Sequence, residues 1–167
     1  KDLCIKKEDF SYPNQETVSK RWIDVREEEP VPAKYYLSTT YIETLKRHKA
    51  RHEAKGNGFG YDIIPDEGIA HAIVVGGMGR ECNLVIDTRQ KDLTPTTRIK
   101  GEVNKQGWRK MTPREWARLQ GYPDNFKIVV ADASAYKQFG NSVAVPAIQA
   151  TAEQLLKTLR SHGYIRE

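Results

Sequence analysis

Apolar and polar positions divide the chain into segments of different period. Residues 1–33 show no sustained period: charge mixes with Pro13, Pro30 and Pro32, and the run Arg26-Glu-Glu-Glu-Pro30 is a poor core former, so this stretch reads as a connecting arm. From Thr40 to Ala54, Tyr41, Ile42 and Leu45 oppose Lys46, Arg47, Lys49 and Arg51, the signature of an amphipathic helix, with Thr40 and Glu43 as a capping box and Gly56 as terminator. Phe59 to Ile64 is strand-like, Pro65-Asp-Glu-Gly68 is a turn, and Ile69 to Val75 alternates as a strand does. Gly76 to Arg80 then forms a loop and Asn83 to Asp87 a further strand. Asp92 to Gly107 is polar and broken by Pro95, Gly101 and Gly107, which predicts an extended loop with at most a short strand.

The most heavily punctuated part is Arg109 to Pro146. Thr112 can cap a helix, Pro113 fits its first position where no N–H is needed, Glu115 can complete a capping box, and Gly121 ends the helix. Tyr122-Pro-Asp-Asn is turn chemistry, followed by a short, strand-like apolar run. Gly140-Asn141 supplies two residues tolerant of left-handed backbone before Pro146 opens another helix. That helix, Val145 to Ser161, carries Ile148, Ala152, Leu155, Leu156 and Leu159 on one face, which must be buried against something.

Charge changes this picture in one place. The 167 residues carry 27 Lys plus Arg against 22 Asp plus Glu, a net charge of +5 and a pI near 9.1, a balance suited to a polyanionic partner. Residues 1–33 hold six basic and eight acidic side chains. Between Arg98 and Arg118, seven basic residues (Arg98, Lys100, Lys105, Arg109, Lys110, Arg114, Arg118) face only Glu102 and Glu115, so the positive charge gathers around the punctuated stretch. Cys4 and Cys82 have neither zinc nor redox spacing, which points to a reducing, cytoplasmic setting, and no apolar run reaches membrane-spanning length. A start at Lys1 suggests a processed, truncated or excised piece.

Two runs carry a family resemblance. Thr112-Pro-Arg-Glu-Trp-Ala-Arg-Leu-Gln-Gly and Tyr136-Lys-Gln-Phe-Gly-Asn-Ser-Val resemble the last two sequence motifs of the DNA (cytosine-5) methyltransferases. Upstream, Lys34-Tyr-Tyr-Leu-Ser-Thr, Lys55-Gly-Asn-Gly-Phe-Gly-Tyr and Ala72-Ile-Val-Val-Gly-Gly-Met-Gly-Arg80 resemble the HpaII-type modification methylases, which act on CCGG. The resemblance runs from Tyr12 onward. It implies an α+β chain: a small target-recognition lobe of twisted antiparallel strands and loops with a few short helices, and a C-terminal helix packing on a Rossmann-like catalytic lobe that this sequence lacks. The divisions implied are an arm at 1–33, a target-recognition region at 34–108, and the C-terminal motifs with a cofactor corner at 109–167.

For Gly140-Asn-Ser-Val143 the residues alone leave two readings open. One is a helix-to-helix corner with Asn141 left-handed and Ser142 capping the next helix. The other, implied by the family, gives Asn141, Ser142 and Val143 contact with S-adenosylmethionine. The glycine-rich pieces are not nucleotide loops. Gly56-Asn-Gly-Phe-Gly60 lacks G-x-G-x-x-G spacing, and Gly76-Gly-Met-Gly79 lacks the Lys-Ser/Thr of a phosphate loop. The family reads its target with two such loops in the major groove, which assigns DNA recognition to Asn57, Gly58, Phe59, Gly76, Gly77, Met78 and Arg80. Arg80 is then the donor pair for a guanine O6 and N7, worth about 1–3 kcal/mol of discrimination. Asn57 and Phe59 are candidates for propping the gap left by an extruded base; their bland counterpart is a hairpin turn with a partly buried aromatic. Lys46, Arg47, Lys49 and Arg51 are either phosphate contacts or a solvated face.

His48 and His52 share a helix face but have Lys-Ala-Arg between them and no third ligand, so no metal site is expected. Thr112, Arg114, Glu115 and Gly140 are expected to be architectural. Cytosine C5 methylation needs a thiolate that adds to ring carbon 6 and an acid near N3. The family's Pro-Cys and Glu-Asn-Val motifs supply them, and neither occurs here, since Cys4 follows Leu3 and Cys82 follows Glu81. The expectation is therefore the DNA-recognition and cofactor-pocket-completing portion of a restriction-modification methyltransferase. It would have no catalytic residue, be inactive alone, and have double-stranded DNA and a catalytic lobe or second subunit as partners. The alternatives are a non-catalytic sequence-specific DNA-binding module and the small subunit of a split enzyme.

Overall fold

The computed structural model describes residues 4–14, 20–76, 80–95, 99 and 101–165. The chain divides into two compact units, Lys20–Ser142 and, separately, Lys1–Ser19 with Val143–Glu167.

The larger unit is built on a two-stranded antiparallel ribbon of β1 (Leu84–Ile86) and β2 (Trp108–Lys110), in the register Leu84 opposite Lys110, Val85 opposite Arg109 and Ile86 opposite Trp108. Successive strand side chains face opposite sides. Leu84 accordingly packs with Leu37, Ile42 and Leu45, while Val85 packs with Trp22, Val25, Ile64, Met111, Trp116, Ala117, Ala135, Tyr136 and Phe139. The ribbon is thus covered on both sides at Leu84 and Val85, while Ile86 at its end stays 47% exposed. A third cluster joins Val31, Tyr36 and Val103. Large side chains buried this fully contribute about 1.5–3 kcal/mol each.

Among the described residues, four α-helices accompany the ribbon in this unit. A short α1 (Trp22–Val25) places two core residues from the charged first segment. α2 (Thr39–Glu53) begins earlier than the sequence suggests: Ser38, not Thr40, is the N-cap, its hydroxyl accepting the Tyr41 N–H at 3.2 Å. Ser38 is fixed there by a bridge to Val103. α3 (Pro113–Leu119) has the expected capping box between Thr112 and Glu115. Gly56 and Gly121, with φ of 73° and 81°, lie just past the ends of α2 and α3. α4 (Asp132–Asn141) packs on α3, the Gln120 amide donating to the Phe139 carbonyl at 3.0 Å.

Three expected strands are not strands. Of Phe59 to Ile64, only Ile63 makes a bridge, parallel to Leu84. Ile69 to Val75 forms no strand pairing among the described residues; the buried Asn83 side chain substitutes for a neighbouring strand, accepting the His71 N–H at 2.8 Å and donating to the His71 carbonyl at 3.2 Å. The apolar run after Asn125 is irregular, pinned by Arg114, which donates to the Pro123 and Phe126 carbonyls. Among the described residues the architecture is mixed helix with one small antiparallel sheet, less strand-rich than expected.

Among its described residues, the smaller unit contains α5 (Val145–Ser161) and a 3-10 turn, Lys7–Asp9. Thr158 and His162 both approach Asp9, and the Cys4 N–H donates to the Tyr164 hydroxyl at 2.7 Å. Ile148, Leu155 and Leu156 remain 56%, 50% and 42% exposed, so the described residues of this unit leave their apolar face uncovered. Among the described residues, no helix is long and apolar enough to cross a membrane.

Candidate nucleic-acid interface

The larger unit is fixed by a buried charge network that composition could not distinguish from an open basic patch. Arg109 is fully buried. Its guanidinium donates to both Glu115 oxygens at 2.8 Å, to Asp87 Oδ2 at 3.1 Å and to the Lys110 carbonyl at 3.1 Å, and it lies 5.1 Å from the Trp22 ring centre. Arg89 grips Asp87 from the other side and also donates to the Glu27 and Glu28 carbonyls. Burial raises the Asp87 pKa, but the Arg89 hydrogen bonds and the two guanidinium charges outweigh that and hold the carboxyl well below its ordinary range. Glu115 further accepts the Thr112 and Glu27 N–H groups, and the Thr112 hydroxyl donates to Glu27. The arm, both strands and α3 meet at this one point.

The expected concentration of free positive charge is therefore corrected. Arg109 is neutralised internally, Lys110 pairs with Glu81 at 3.0 Å, Arg118 pairs with Asp124 at 2.7 Å and binds the Val25 and Arg26 carbonyls, and Arg114 is spent on carbonyls. Arg98 and Lys100 lie outside the described residues.

The first glycine-rich segment leaves α2 as an exposed loop. Asn57 donates its backbone N–H to the His52 carbonyl, Gly58 faces open space, and Phe59 is 67% exposed with its ring edge-on to His52. His48 and His52 stack at 4.4 Å, and desolvation followed by the charges of His48, Arg51 and Lys55 lowers the His52 pKa. Among the described residues, no group of three metal-ligating side chains occurs. On α2, Lys46 is paired with Glu43 and Lys49 donates to the Tyr61 carbonyl. Burial and its proximity to Glu81 push the Cys82 thiol up, the reverse of what a nucleophile needs.

The second segment behaves differently. Gly77 and Met78 lie outside the described residues, but the flanking Val74, Val75, Gly76 and Arg80 line a cleft of about 250 Å³ with Trp116, Ala133, Tyr136 and Lys137. The Arg80 guanidinium lies over the Tyr136 ring, 5.4 Å from its centre. Tyr136 donates to the Met111 carbonyl and meets Trp116 edge-on at 4.8 Å. Gly140 touches the same segment: a Cβ there would stand 2.6 Å from Val75 Cγ2.

That contact explains Gly140, and it corrects the expected corner. Neither Gly140 nor Asn141 is left-handed; α4 runs through both. Ser142 closes α4, its hydroxyl donating to the Phe139 carbonyl at 2.8 Å, instead of capping α5, whose N-cap is Ala144. Asn141 is exposed, and Val143, in the smaller unit, is 59% exposed. Sequence reasoning did not single out Arg109, Asp87, Asn83 or Asn104. The last of these is buried and holds Leu37 and Trp108 through three hydrogen bonds.

The model for C-5 cytosine-specific DNA methylases matches residues 1–157, and the chain belongs to that family. It is 71% identical over 150 residues to the type II methyltransferase M.HpaII of Haemophilus parainfluenzae, covering 90% of this chain and 42% of that protein. It is 38% identical over 154 residues to M.SsoII of Shigella sonnei, covering 92% of this chain and 37% of that one. The chain thus spans less than half the length of these relatives. The crystal structure of S. pombe Dnmt2 methyltransferase superposes with a TM-score of 0.61 at 19% identity, over 87% of this chain and 44% of that one, a likeness of fold.

Proposed function

We propose that this chain is the DNA-recognition and cofactor-pocket-completing portion of a restriction-modification DNA (cytosine-5) methyltransferase that acts on CCGG in duplex DNA. The observation that carries the reading is the 71% identity to M.HpaII over 150 residues. In this reading 1–33 is the arm from the catalytic lobe, 34–108 the target-recognition region and 109–167 the closing motifs. Asn57, Gly58, Phe59, Gly76, Gly77, Met78 and Arg80 belong to the DNA-contacting loops. Exposure of Asn57, Gly58 and Phe59 beside the basic face of α2 supports this for the first loop.

S-adenosylmethionine supplies the methyl group. The family assigns Asn141, Ser142 and Val143 to its pocket, and the arrangement suits a peripheral role. Asn141 is exposed with no hydrogen bond from its side chain among the described residues, while Gly140 and Ser142 are fixed by Val75 and Phe139. No Pro-Cys or Glu-Asn-Val motif is present, so the chain does not methylate by itself. The partners are double-stranded DNA and a catalytic lobe, of the same protein or a second subunit, on which the apolar face of α5 rests. The setting is the bacterial cytoplasm, on DNA.

The test is equilibrium binding of the chain to labelled duplexes with one CCGG or a scrambled site at a single salt concentration. Tighter binding to the CCGG duplex is expected. Equal affinity would overturn the recognition role.

A further inference from the structure

The cleft between Val74–Gly76 and α4 holds two cations that have no ion-pair partner among the described residues. Among the described residues, neither Arg80 nor Lys137 makes an ion pair or side-chain hydrogen bond, although both line this cleft. The carboxylates closest in the chain are already occupied. Asp132, on the first turn of α4, is paired with Lys34 at 2.6 Å, and Glu81 accepts from Lys110 at 3.0 Å and from the Tyr41 hydroxyl at 3.0 Å. The remaining walls are Val74, Val75, Gly76, Trp116, Ala133 and Tyr136.

We propose that Arg80 and Lys137 form a clamp for one backbone phosphodiester of the bound DNA duplex. The inference rests on the DNA-recognition reading above and gives Arg80 a backbone contact in place of a guanine edge. The chemistry of the walls fits that ligand. A planar guanidinium can stack on an aromatic ring and still present its donor fork to a phosphate, while an ammonium adds a point charge. The Tyr136 platform is rigid because its hydroxyl is bonded to Met111 and its ring is braced by Trp116. Val74, Val75 and Trp116 offer an apolar surface to the deoxyribose. The cleft volume of about 250 Å³ far exceeds the roughly 30 Å³ share of one water, leaving room for a phosphate with its sugar. The guanidinium is held back on α4 by Tyr136, an unsuitable stance for reaching a base edge in the groove.

Phosphate and base contacts leave different signatures. A phosphate contact contributes equally to every sequence, and its loss lowers the slope of log affinity against log salt by about one. The experiment measures affinities of the 167-residue chain, Lys137→Gln and Arg80→Gln for CCGG and scrambled duplexes across a salt series, with near-ultraviolet circular dichroism as the fold control. For each variant we expect a similar fractional loss on both duplexes and a slope reduced by about one. Loss confined to the CCGG duplex in Arg80→Gln, with the slope unchanged, would return Arg80 to a base edge and overturn the clamp. Unchanged slopes in both folded variants would overturn it as well, while the DNA reading would stand on the unaltered chain's own binding. If the unaltered chain shows no salt-dependent binding to duplex, both readings fall. Titration with inorganic phosphate, followed by NMR, separates the remaining source: saturable binding lost in Lys137→Gln, with duplex affinity untouched, would make this a free-anion site and remove DNA as its ligand.

Discussion

Replacing Arg109 with methionine tests the buried network directly. Methionine keeps much of the apolar length and removes the cation, leaving the Asp87 and Glu115 carboxylates buried without it. Removing one member of a buried pair costs about 3–5 kcal/mol. Asp87 keeps Arg89 and Glu115 keeps two backbone N–H groups, which places the expected loss near the lower end, about 3 kcal/mol. Against a total stability of about 5–15 kcal/mol, that is a large share. Urea unfolding followed by tryptophan fluorescence is the assay, because Trp22, Trp108 and Trp116 are the only three tryptophans and all lie in Lys20–Ser142. With a denaturant slope of about 1–3 kcal/mol per molar, the midpoint should fall by roughly 1–3 M. The pH dependence supplies a sign. In the unaltered protein the Asp87 pKa is depressed below its ordinary 3.8, so its contribution is complete above that value and is lost as pH falls through the folded-state value. In Arg109→Met the deficit relative to the unaltered chain should instead shrink as pH falls from about 7 to 4, because without the Arg109 charge the buried Asp87 carboxylate takes up a proton more readily. A loss below about 1 kcal/mol, the range of an exposed ion pair, or a deficit that widens with acid, would refute the reasoning.

Thr112→Ala removes the α3 cap and the hydroxyl bond to Glu27, and should lower the same urea transition by about 1 kcal/mol; an unchanged midpoint would show that the cap contributes nothing. Gly140→Ala puts a Cβ 2.6 Å from Val75 Cγ2 and 3.3 Å from the Val75 nitrogen, and should cost about 1–3 kcal/mol, read as a lowered thermal midpoint. A midpoint at or above that of the unaltered chain would mean the Val74–Gly76 segment does not rest on α4.

Elements held by local chemistry were legible in the sequence. The capping box of α3, the apolar periods of α2 and α5, and the apolar run of β1 each depend on neighbours within a few residues. What was not legible depends on distant partners. β2 became a strand because Leu84–Ile86 lies beside it, and nothing in Trp108-Arg-Lys announces that pairing. The alternation of Ile69 to Val75 suggested a strand, but the segment is mostly exposed and His71 bonds to a side-chain amide, Asn83, that looked like part of a strand end. Arg109 counted as free positive charge until Asp87, 22 positions away, closed on it. Gly140 suggested a left-handed turn, whereas its lack of a side chain serves a close approach to Val75, 65 positions away. At the site, glycine-rich composition marked both loops, but the placement of Arg80 against Tyr136 and Lys137 is a tertiary fact.

The central claim is that these 167 residues choose the DNA site for chemistry performed by groups on another lobe. The most direct measurement mixes the chain with a separately produced cytosine-5 methyltransferase lobe that carries the Pro-Cys motif and lacks its own recognition region. S-adenosylmethionine and a duplex of mixed sequence are added, and the modified cytosines are mapped by bisulfite sequencing. The account predicts methylation within CCGG from the mixture and none from either piece alone. No transfer with both pieces folded, or methylation at sites indifferent to CCGG, would contradict it.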